Sequence, residues 1–208
     1  MTPQELFQMF VPRIAPFGIP VLAGGAVRDS LLGRTPKDYD LFILQGCLFD
    51  FDRAKAEIPP LLSDLVQVPP VVDWHNSEPY LVATVEWRGV QVQVLVNPAP
   101  DMASLIKTFD WNVCLFGFDG KEYFQGEPLE NIAPGKDLRL QTTTFPLSTL
   151  RRGFRFSERF KMRLLTADIL SLCQSVVDNA ARRNEKGPHG NEPDMEALAA
   201  NILVDDNF

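Results

Sequence analysis

The stretch "LAGGAVRDSLLGRTPKDYDLFIL", Leu22 to Leu44, combines two adjacent glycines, an Arg-Asp pair and two aspartates separated by one tyrosine. The apolar run "IPVLAG" that leads into it is typical of a short strand. "AVRDSLLG" predicts a helix of about two turns that Gly33 ends, and "DYDLFIL" predicts a second strand. The stretch therefore predicts a strand, a glycine turn, a helix and a strand in immediate succession.

The second of these strands carries Asp38 and Asp40. Side chains two residues apart on a strand lie on the same face, so the two carboxylates are expected side by side, with Tyr39 on the other face. Adjacent carboxylates repel each other unless a cation lies between them, and Mg²⁺ prefers such oxygen ligands and usually binds substrate phosphates as well. An isolated Asp-x-Asp pattern is also common at exposed strand ends, which is the alternative interpretation.

The glycine turn, Gly24-Gly25, leads directly into the predicted helix. Unpaired backbone N–H groups and the helix dipole attract anions at such a place, and glycine allows a phosphate to approach the backbone closely. Arg28 could reach the same phosphate as a fork of donors, whereas Asp29 more often caps or pairs. A tight turn without a ligand, followed by two surface charges, is the alternative.

The segments on either side predict both helices and strands. A helix over about residues 3–15 begins at Thr2 and Glu5, and "DRAKAEIPPLLSDLV" is helical in pattern until Pro59-Pro60 interrupts it. Two hairpins are expected, one from "YLVATVEW" to "VQVQVLV" and one turning at Asp119-Gly120, with a short helix capped by Asp101 between them.

From Pro146 the pattern is helical without strand signals, and a last helix is expected near "DMEALAANIL". The sequence predicts the α+β class, with one domain over residues 1–145 and a small helical domain over residues 146–208.

Composition limits the classes of function. The 208 residues are 45% hydrophobic and carry a net charge of −7, so a large basic surface for nucleic acid is not expected. A local basic patch is nevertheless expected, because Arg151, Arg152, Arg155 and Arg159 recur at helical spacing. No apolar run reaches the length of a bilayer span and no signal peptide is recognisable, so a cytoplasmic protein without membrane association is expected. The three cysteines predict free thiols.

The opening stretch resembles the head domain of the tRNA nucleotidyltransferase (CCA-adding) and bacterial poly(A) polymerase family, within the DNA polymerase beta-like nucleotidyltransferases. The family pattern G-G-x-V-R-D-x-L-L-G-R-x-P-x-D-x-D is matched at Gly24, Gly25, Val27, Arg28, Asp29, Leu31, Leu32, Gly33, Arg34, Pro36, Asp38 and Asp40. The resemblance implies a polymerase beta-like head, with a mixed or antiparallel sheet and helices on one face, followed by a neck-like helical domain.

Two later segments extend the resemblance to about residues 18–165. "TFDWNVCLFGFDG" is similar to the family's R-R-D-F-T-I-N-A segment, with Phe109 in place of an arginine, and "STLRRGFR" is similar to the family's E-D-x-x-R-x-x-R helix, with Ser148 and Thr149 in place of two acids. The resemblance implies catalytic and metal-binding roles for Asp38 and Asp40. It implies nucleotide contacts for Gly24, Gly25, Arg28, Asp110, Thr149, Arg152 and Arg155.

Polymerase beta-like sites often contain a third carboxylate on a neighbouring strand. The corresponding strand is expected to be "VQVQVLV", which offers Gln91 and Gln93, so Glu86 or Asp110 are the candidates for the third acid. An amide is a neutral and weaker metal ligand than a carboxylate. The metal site is therefore expected to contain either Asp38 and Asp40 alone, or these two acids together with Glu86 or Asp110.

The resemblance implies transfer of a nucleoside monophosphate from an NTP to an acceptor hydroxyl, with two Mg²⁺ ions and release of pyrophosphate. An RNA 3′ end is the expected acceptor, and a protein or a small molecule is the alternative. A non-catalytic NTP-binding module is the second class, favoured by Gln91, Gln93 and Phe109. A protein partner that supplies acceptor binding is a third option, and His75 and His189 are assigned to the surface or to loops.

Overall fold

A computed structural model describes residues 2–67 and 80–185 of the chain. Its helices are α1 (Pro3–Ile14), α2 (Gly25–Leu31), α3 (Phe51–Leu61), α4 (Met102–Ile106), α5 (Pro146–Phe160) and α6 (Thr166–Glu185). Its strands are β1 (Ile19–Ala23), β2 (Asp38–Leu44), β3 (Val66–Gln67), β4 (Leu81–Trp87), β5 (Val90–Asn97), β6 (Phe116–Phe118), β7 (Tyr123–Gln125), β8 (Asp137–Leu138) and β9 (Arg163–Leu164). The predicted succession of strand, glycine turn, helix and strand corresponds to β1, α2 and β2.

Seven of the strands form one mixed sheet in the order β3-β4-β5-β2-β1-β6-β7. Strand β2 lies near its centre, antiparallel to β1 and parallel to β5, and the other ladders of this sheet are antiparallel. The predicted α+β class with a mixed sheet is confirmed.

The two faces of β2 serve different cores. Leu41 and Ile43 are fully buried in the larger core, which also receives apolar side chains of α1, α2 and α3. Phe42 and Leu44 point to the other face, where a smaller core includes the buried side chains of α4. This alternation buries β2 on both sides and fixes its register, because a slip of one residue would exchange the two faces.

Several helix caps and turns that the sequence predicts are present in the structure. The Thr2 side chain accepts a hydrogen bond from the Glu5 backbone N–H and the Glu5 carboxylate accepts one from the Thr2 N–H, so α1 begins with a full capping box. Arg88 and Gly89, between β4 and β5, both have positive φ (53° and 76°), as a type I′ hairpin turn requires. The Asp101 carboxylate caps α4 through the Ser104 N–H at 2.7 Å.

Two predictions of local structure are wrong. Helix α3 is not interrupted by Pro59-Pro60 but includes both and ends at Leu61, where the N–H of Leu62 bonds the Pro59 carbonyl. The prolines lie in the last turn of α3, where the backbone hydrogen bonds that a proline would remove are already ending. The chain after Pro146 is not purely helical either, because Arg163–Leu164 pairs with Asp137–Leu138 as a short parallel ladder. The helix expected near "DMEALAANIL" lies outside the described residues.

Helix α5 is docked on the rest of the chain through Trp111. The Trp111 side chain is fully buried, and its indole N–H donates to the Thr149 carbonyl at 2.8 Å. Gly153, one turn later, lies so close that a Cβ there would be 2.5 Å from Trp111 Cζ2. Phe160 at the end of α5 and Leu172 in α6 belong to the larger core. The predicted domain boundary at residue 145 stays a prediction, and the core continues across it.

Within the described ranges, none of the helices has the length and apolar character that crossing a bilayer requires.

Replacing Gly153 by valine is expected to destabilise the fold by about 1–3 kcal/mol, because a branched side chain cannot fit against the buried indole without moving α5. The measurement is the free energy of unfolding in urea. The matched control is Phe154→Val in the same helix, where the side chain is 53% exposed and a change within about 0.5 kcal/mol is expected. Equal effects at the two positions would contradict the packing of Gly153 on Trp111.

Candidate active site

The two aspartates of β2 lie on the same face of the sheet, as the sequence predicts. Asp38 is exposed and Asp40 half-buried, whereas Tyr39 between them is buried in the larger core on the other face. Burial raises the pKa of the Tyr39 hydroxyl, and a hydrogen bond with Ser30 acts in the opposite direction. Tyr39 therefore anchors the strand at the point where the carboxylates emerge.

The glycine turn lies directly beside Asp40. Gly24 has a φ of +87°, which L side chains rarely adopt, and its N–H donates to the Phe116 carbonyl at 2.8 Å. A Cβ built on Gly24 would be 3.7 Å from Asp40 Oδ2 and 4.0 Å from the Phe109 ring. A side chain at this position would be in van der Waals contact with the carboxylate, so the glycine turn and Asp40 lie close together.

The strand that was expected to carry the third acid does lie next to the aspartates. Gln91 is in register with Asp38 and Gln93 with Asp40, so their side chains share one face. Glu86 on β4 is in register with Gln91, two strands from Asp38, and roughly 10 Å separates such positions. No group of three or more His, Cys, Asp or Glu side chains suited to a metal occurs within residues 2–67 and 80–185. Two carboxylates and neighbouring amide oxygens fit Mg²⁺ as hard oxygen donors.

The arginine of the motif is directed into the protein. Arg28 is 1% exposed; its guanidinium bonds the Asp29 carboxylate at 2.8 and 2.9 Å and the Val113 carbonyl at 3.1 Å. It also packs on the rings of Phe156 and Phe160, 5.6 and 4.6 Å from their centroids. These contacts place the side chain in the larger core beneath the glycine turn rather than on the face that holds Asp38 and Asp40.

Asp29 completes a buried ion-pair cluster between the first part of the chain and α5. Its other oxygen accepts a hydrogen bond from Arg159 at 2.8 Å, and only 4% of its side chain is exposed. One carboxylate thus pairs with arginines from two elements far apart in sequence. Because a buried charge is costly without a partner, Arg28, Asp29 and Arg159 depend on one another.

A second ion pair reaches from α5 to the predicted site residue Asp110. Arg152 donates to Asp110 Oδ2 from Nε at 2.8 Å and from Nη2 at 2.6 Å, and Asp110 is 8% exposed. Thr149 is 1% exposed beneath Trp111, so its side chain lies in the interior rather than at an open surface. Arg155 is exposed. The structure therefore brings Asp110 and Arg152 together, buries Thr149 and leaves Arg155 exposed.

Two further residues of this region were not predicted as site residues. Phe109 packs on Phe42 with 5.9 Å between ring centroids and borders the Gly24 turn, so an aromatic ring stands beside Asp40. Cys114 lies within electrostatic range of Asp110 and Asp40, and burial, aided by those carboxylates, raises the pKa of its thiol to about 12. The departure at position 109 is the signal that pointed to Phe109, whereas no sequence pattern indicated Cys114.

Comparisons with known proteins support the fold. No family model and no curated protein match the chain, but solved structures of CCA-adding enzymes do. A CCA-adding enzyme with ATP matches 100% of this chain and 49% of its own, with a TM-score of 0.60 and 17% identity. The complex with CTP matches 88% of this chain and 46% of its own, with a TM-score of 0.58 and 17% identity. The chain has the fold of a CCA-adding enzyme head.

A third solved structure, the Thermotoga maritima CCA-adding enzyme complexed with tRNA, covers 86% of this chain and 43% of its own at 16% identity, with a TM-score of 0.55. The present chain spans about half the length of the solved structures that it matches. The fold predicted from the motif is confirmed, and the roles of individual site residues stay predictions.

Replacing Asp29 by asparagine is expected to lower the free energy of unfolding by about 3–5 kcal/mol, because it leaves the buried Arg28 without a carboxylate. The matched control is Asp64→Asn, which breaks the ion pair with Arg13 at a site where the Asp64 side chain is 56% exposed. That change is expected to cost less than about 1 kcal/mol. Urea unfolding measures both, and similar small losses would show that the cluster is not a stabilising unit.

Cys114 is expected to react with a disulfide reagent at pH 8 at least about a hundredfold more slowly than a free thiol, because only the thiolate reacts. Cys47 and Cys173 are exposed and serve as internal controls. The measurement is the time course of thiol release with Ellman's reagent, with Cys114→Ser to assign the slow phase and guanidinium to expose it. Three fast thiols in the native protein would be incompatible with the raised pKa.

Proposed function

We propose that this protein is a Mg²⁺-dependent nucleotidyltransferase that moves a nucleoside monophosphate from an NTP to an acceptor hydroxyl. The observation that carries the proposal is the position of the Gly24 turn directly beside the Asp40 carboxylate, with Asp38 on the same face of β2. A turn that admits phosphate and a pair of carboxylates that admit a metal meet there.

Asp38 and Asp40 would hold the metal, with Gln91 and Gln93 as the nearest neutral oxygen donors on β5. Mg²⁺, when bound, neutralises triphosphate charge and lowers the pKa of the attacking hydroxyl. In the reaction the acceptor oxygen forms a bond to the α-phosphorus, the bond from that phosphorus to the bridging oxygen breaks, and pyrophosphate leaves. The attacking hydroxyl loses its proton to solvent. Positioning and charge neutralisation supply the catalysis, and no covalent protein intermediate is required.

The nucleotide would lie between β2 and α5. Gly24 offers close backbone approach to the triphosphate beside Asp40, whereas a Cβ on Gly25 would be 3.3 Å from Arg28 Nη2. The Asp110–Arg152 pair is proposed to border the site from α5. Arg152 has donors left beyond the two that bond Asp110, because a guanidinium carries five N–H groups. Arg28 supports the turn from below, and Thr149 holds α5 on Trp111 through its carbonyl. These are positioning roles, in place of the direct nucleotide contacts that the motif implies.

An RNA 3′ end is the proposed acceptor. The solved structures that share the fold are described with CTP, with ATP and with tRNA, which supports NTP and RNA as ligands. A protein partner is proposed to contribute to acceptor binding, because a chain with a net charge of −7 is not expected to offer a large basic surface of its own.

A non-catalytic NTP-binding module is the second candidate. It is favoured by Gln91 and Gln93, which stand in register with the two aspartates where an acid would complete a metal site. This candidate predicts NTP binding that depends on Asp38 and Asp40 without release of pyrophosphate.

The test of the proposed function is pyrophosphate release from each of the four NTPs with Mg²⁺ and a mixed pool of short RNAs. The double variant Asp38→Ala/Asp40→Ala is expected to lower the rate about a hundredfold or more, by analogy with the loss of other charge-stabilising groups. The matched control is Asp52→Ala/Asp64→Ala, two exposed acids outside the site, which should leave the rate unchanged.

The outcomes separate the candidates. Release that depends on Asp38 and Asp40, with label from the α-phosphate recovered in RNA, supports the transferase. Label recovered in protein after nuclease treatment would replace the RNA acceptor by a protein. Tight metal-dependent NTP binding without release from any acceptor tried would favour the binding module.

A further inference from the structure

Strands β2, β5 and β4 carry a row of three polar side chains across one face of the sheet. Asp40 on β2 is in register with Gln93 on β5, and Gln93 is in register with Thr84 on β4. Side chains in register on neighbouring strands lie on the same face, roughly 5 Å apart. Gln93 therefore lies between Asp40 on one side and Thr84 on the other.

The Thr84 hydroxyl differs from the other buried polar groups of the protein. Thr84 is 4% exposed, and its Oγ1 has no hydrogen-bond partner. No other buried side-chain nitrogen or oxygen atom within residues 2–67 and 80–185 lacks one. A buried hydroxyl without a partner lowers stability, and such a group often marks a functional site. Valine has the same shape and would avoid this loss, so stability alone does not account for a threonine at this position.

Gln93 is the neighbouring side chain that can pair with this hydroxyl. Its amide carries a donor, Nε2, and an acceptor, Oε1, on the same carbon, and a threonine hydroxyl can accept as well as donate. When the Nε2–H donates to Thr84 Oγ1 on β4, Oε1 is directed to the opposite side, which is the side of Asp40 on β2. In that orientation the amide oxygen and the carboxylate are hard oxygen ligands for the same cation.

We propose that Thr84 is a positioning residue for the metal site, whose hydroxyl orients the Gln93 amide so that Oε1 joins Asp38 and Asp40 as a ligand. The inference rests on the proposed function. A neutral amide is a weaker ligand than a carboxylate, and a hydrogen bond to its other end both fixes its orientation and makes its oxygen a better donor. The pairing thus accounts for an amide at the place where an acid would complete the site.

The experiment measures the affinity of the full chain for Mn²⁺, which takes the same oxygen ligands as Mg²⁺, by electron paramagnetic resonance of the free ion. Thr84→Val is expected to weaken Mn²⁺ binding about tenfold, as the loss of a hydrogen bond to a metal ligand typically does. The same variant is expected to raise the urea midpoint of unfolding without metal, because a methyl group replaces a hydroxyl that has no partner. A residue needed only for packing would not change these two quantities in opposite directions.

A double-mutant cycle tests whether Thr84 acts through Gln93. In a Gln93→Leu background, Thr84→Val is expected to have no further effect on Mn²⁺ affinity. In a Gln91→Leu background the effect is expected to persist, because Gln91 is in register with Asp38 and Glu86 rather than with Thr84.

Thr142→Val is the matched control for the loss of a threonine hydroxyl. The Thr142 hydroxyl already donates to the Thr108 carbonyl at 3.1 Å. The control is therefore expected to leave Mn²⁺ affinity unchanged and not to raise the urea midpoint. Circular dichroism of every variant checks that the fold is retained.

The inference is overturned if Thr84→Val binds Mn²⁺ as tightly as the wild type, if its effect persists in the Gln93→Leu background, or if the wild type does not bind Mn²⁺. A fall in the urea midpoint of Thr84→Val also overturns it, because the hydroxyl would then be bonded without metal. Pyrophosphate release is measured separately. Mn²⁺ affinity that depends on Thr84, without release from any NTP, supports the positioning role and refutes the enzyme. Release that depends on Asp38 and Asp40, with Mn²⁺ affinity that is independent of Thr84, does the reverse.

Discussion

The pairing of β2 between an antiparallel and a parallel neighbour is the constraint on which the site depends. Strand β1 ends at the glycine turn and brings Gly24 beside Asp40, while β5 places Gln91 and Gln93 in register with the two aspartates. Tyr39, Leu41 and Ile43 bury the opposite face. The register cannot change without moving the carboxylates into the core, so the hydrophobic effect on one face positions charge on the other.

Ion pairs and one large buried side chain hold α5 against the rest of the chain. Trp111 fills the space beneath α5, and two carboxylates, Asp29 and Asp110, each hold an arginine of that helix. Neither carboxylate is left to a metal in this arrangement, because each already neutralises a neighbouring cation. Asp29 and Asp110 thus have structural partners in α5, whereas the metal-binding roles of Asp38 and Asp40 on β2 stay predictions.

The sequence predicted those features of the structure that are determined by residues close together in the chain. The glycine turn, the capping box, the hairpins and the shared face of Asp38 and Asp40 follow from spacing and residue type. The position of Gln91 and Gln93 beside the aspartates followed from the family resemblance. The environment of Arg28 did not follow, because helical spacing places a residue on a face but does not say what that face meets. Its partners, Val113 and Phe160, are distant in sequence. For the same reason, the pairing of Asp110 with Arg152 and the burial of Thr149 could not be predicted from the sequence.

The docking of α5 on Trp111 has a consequence for how the chain can be divided. A boundary drawn at Pro146 separates a mixed α/β pattern from a helical one, yet cutting there would expose a buried indole and leave Asp29 and Asp110 without the arginines that they pair with in α5. The two parts contribute side chains to one hydrophobic core. Recombination or truncation at this point of the chain would remove that shared burial from both parts.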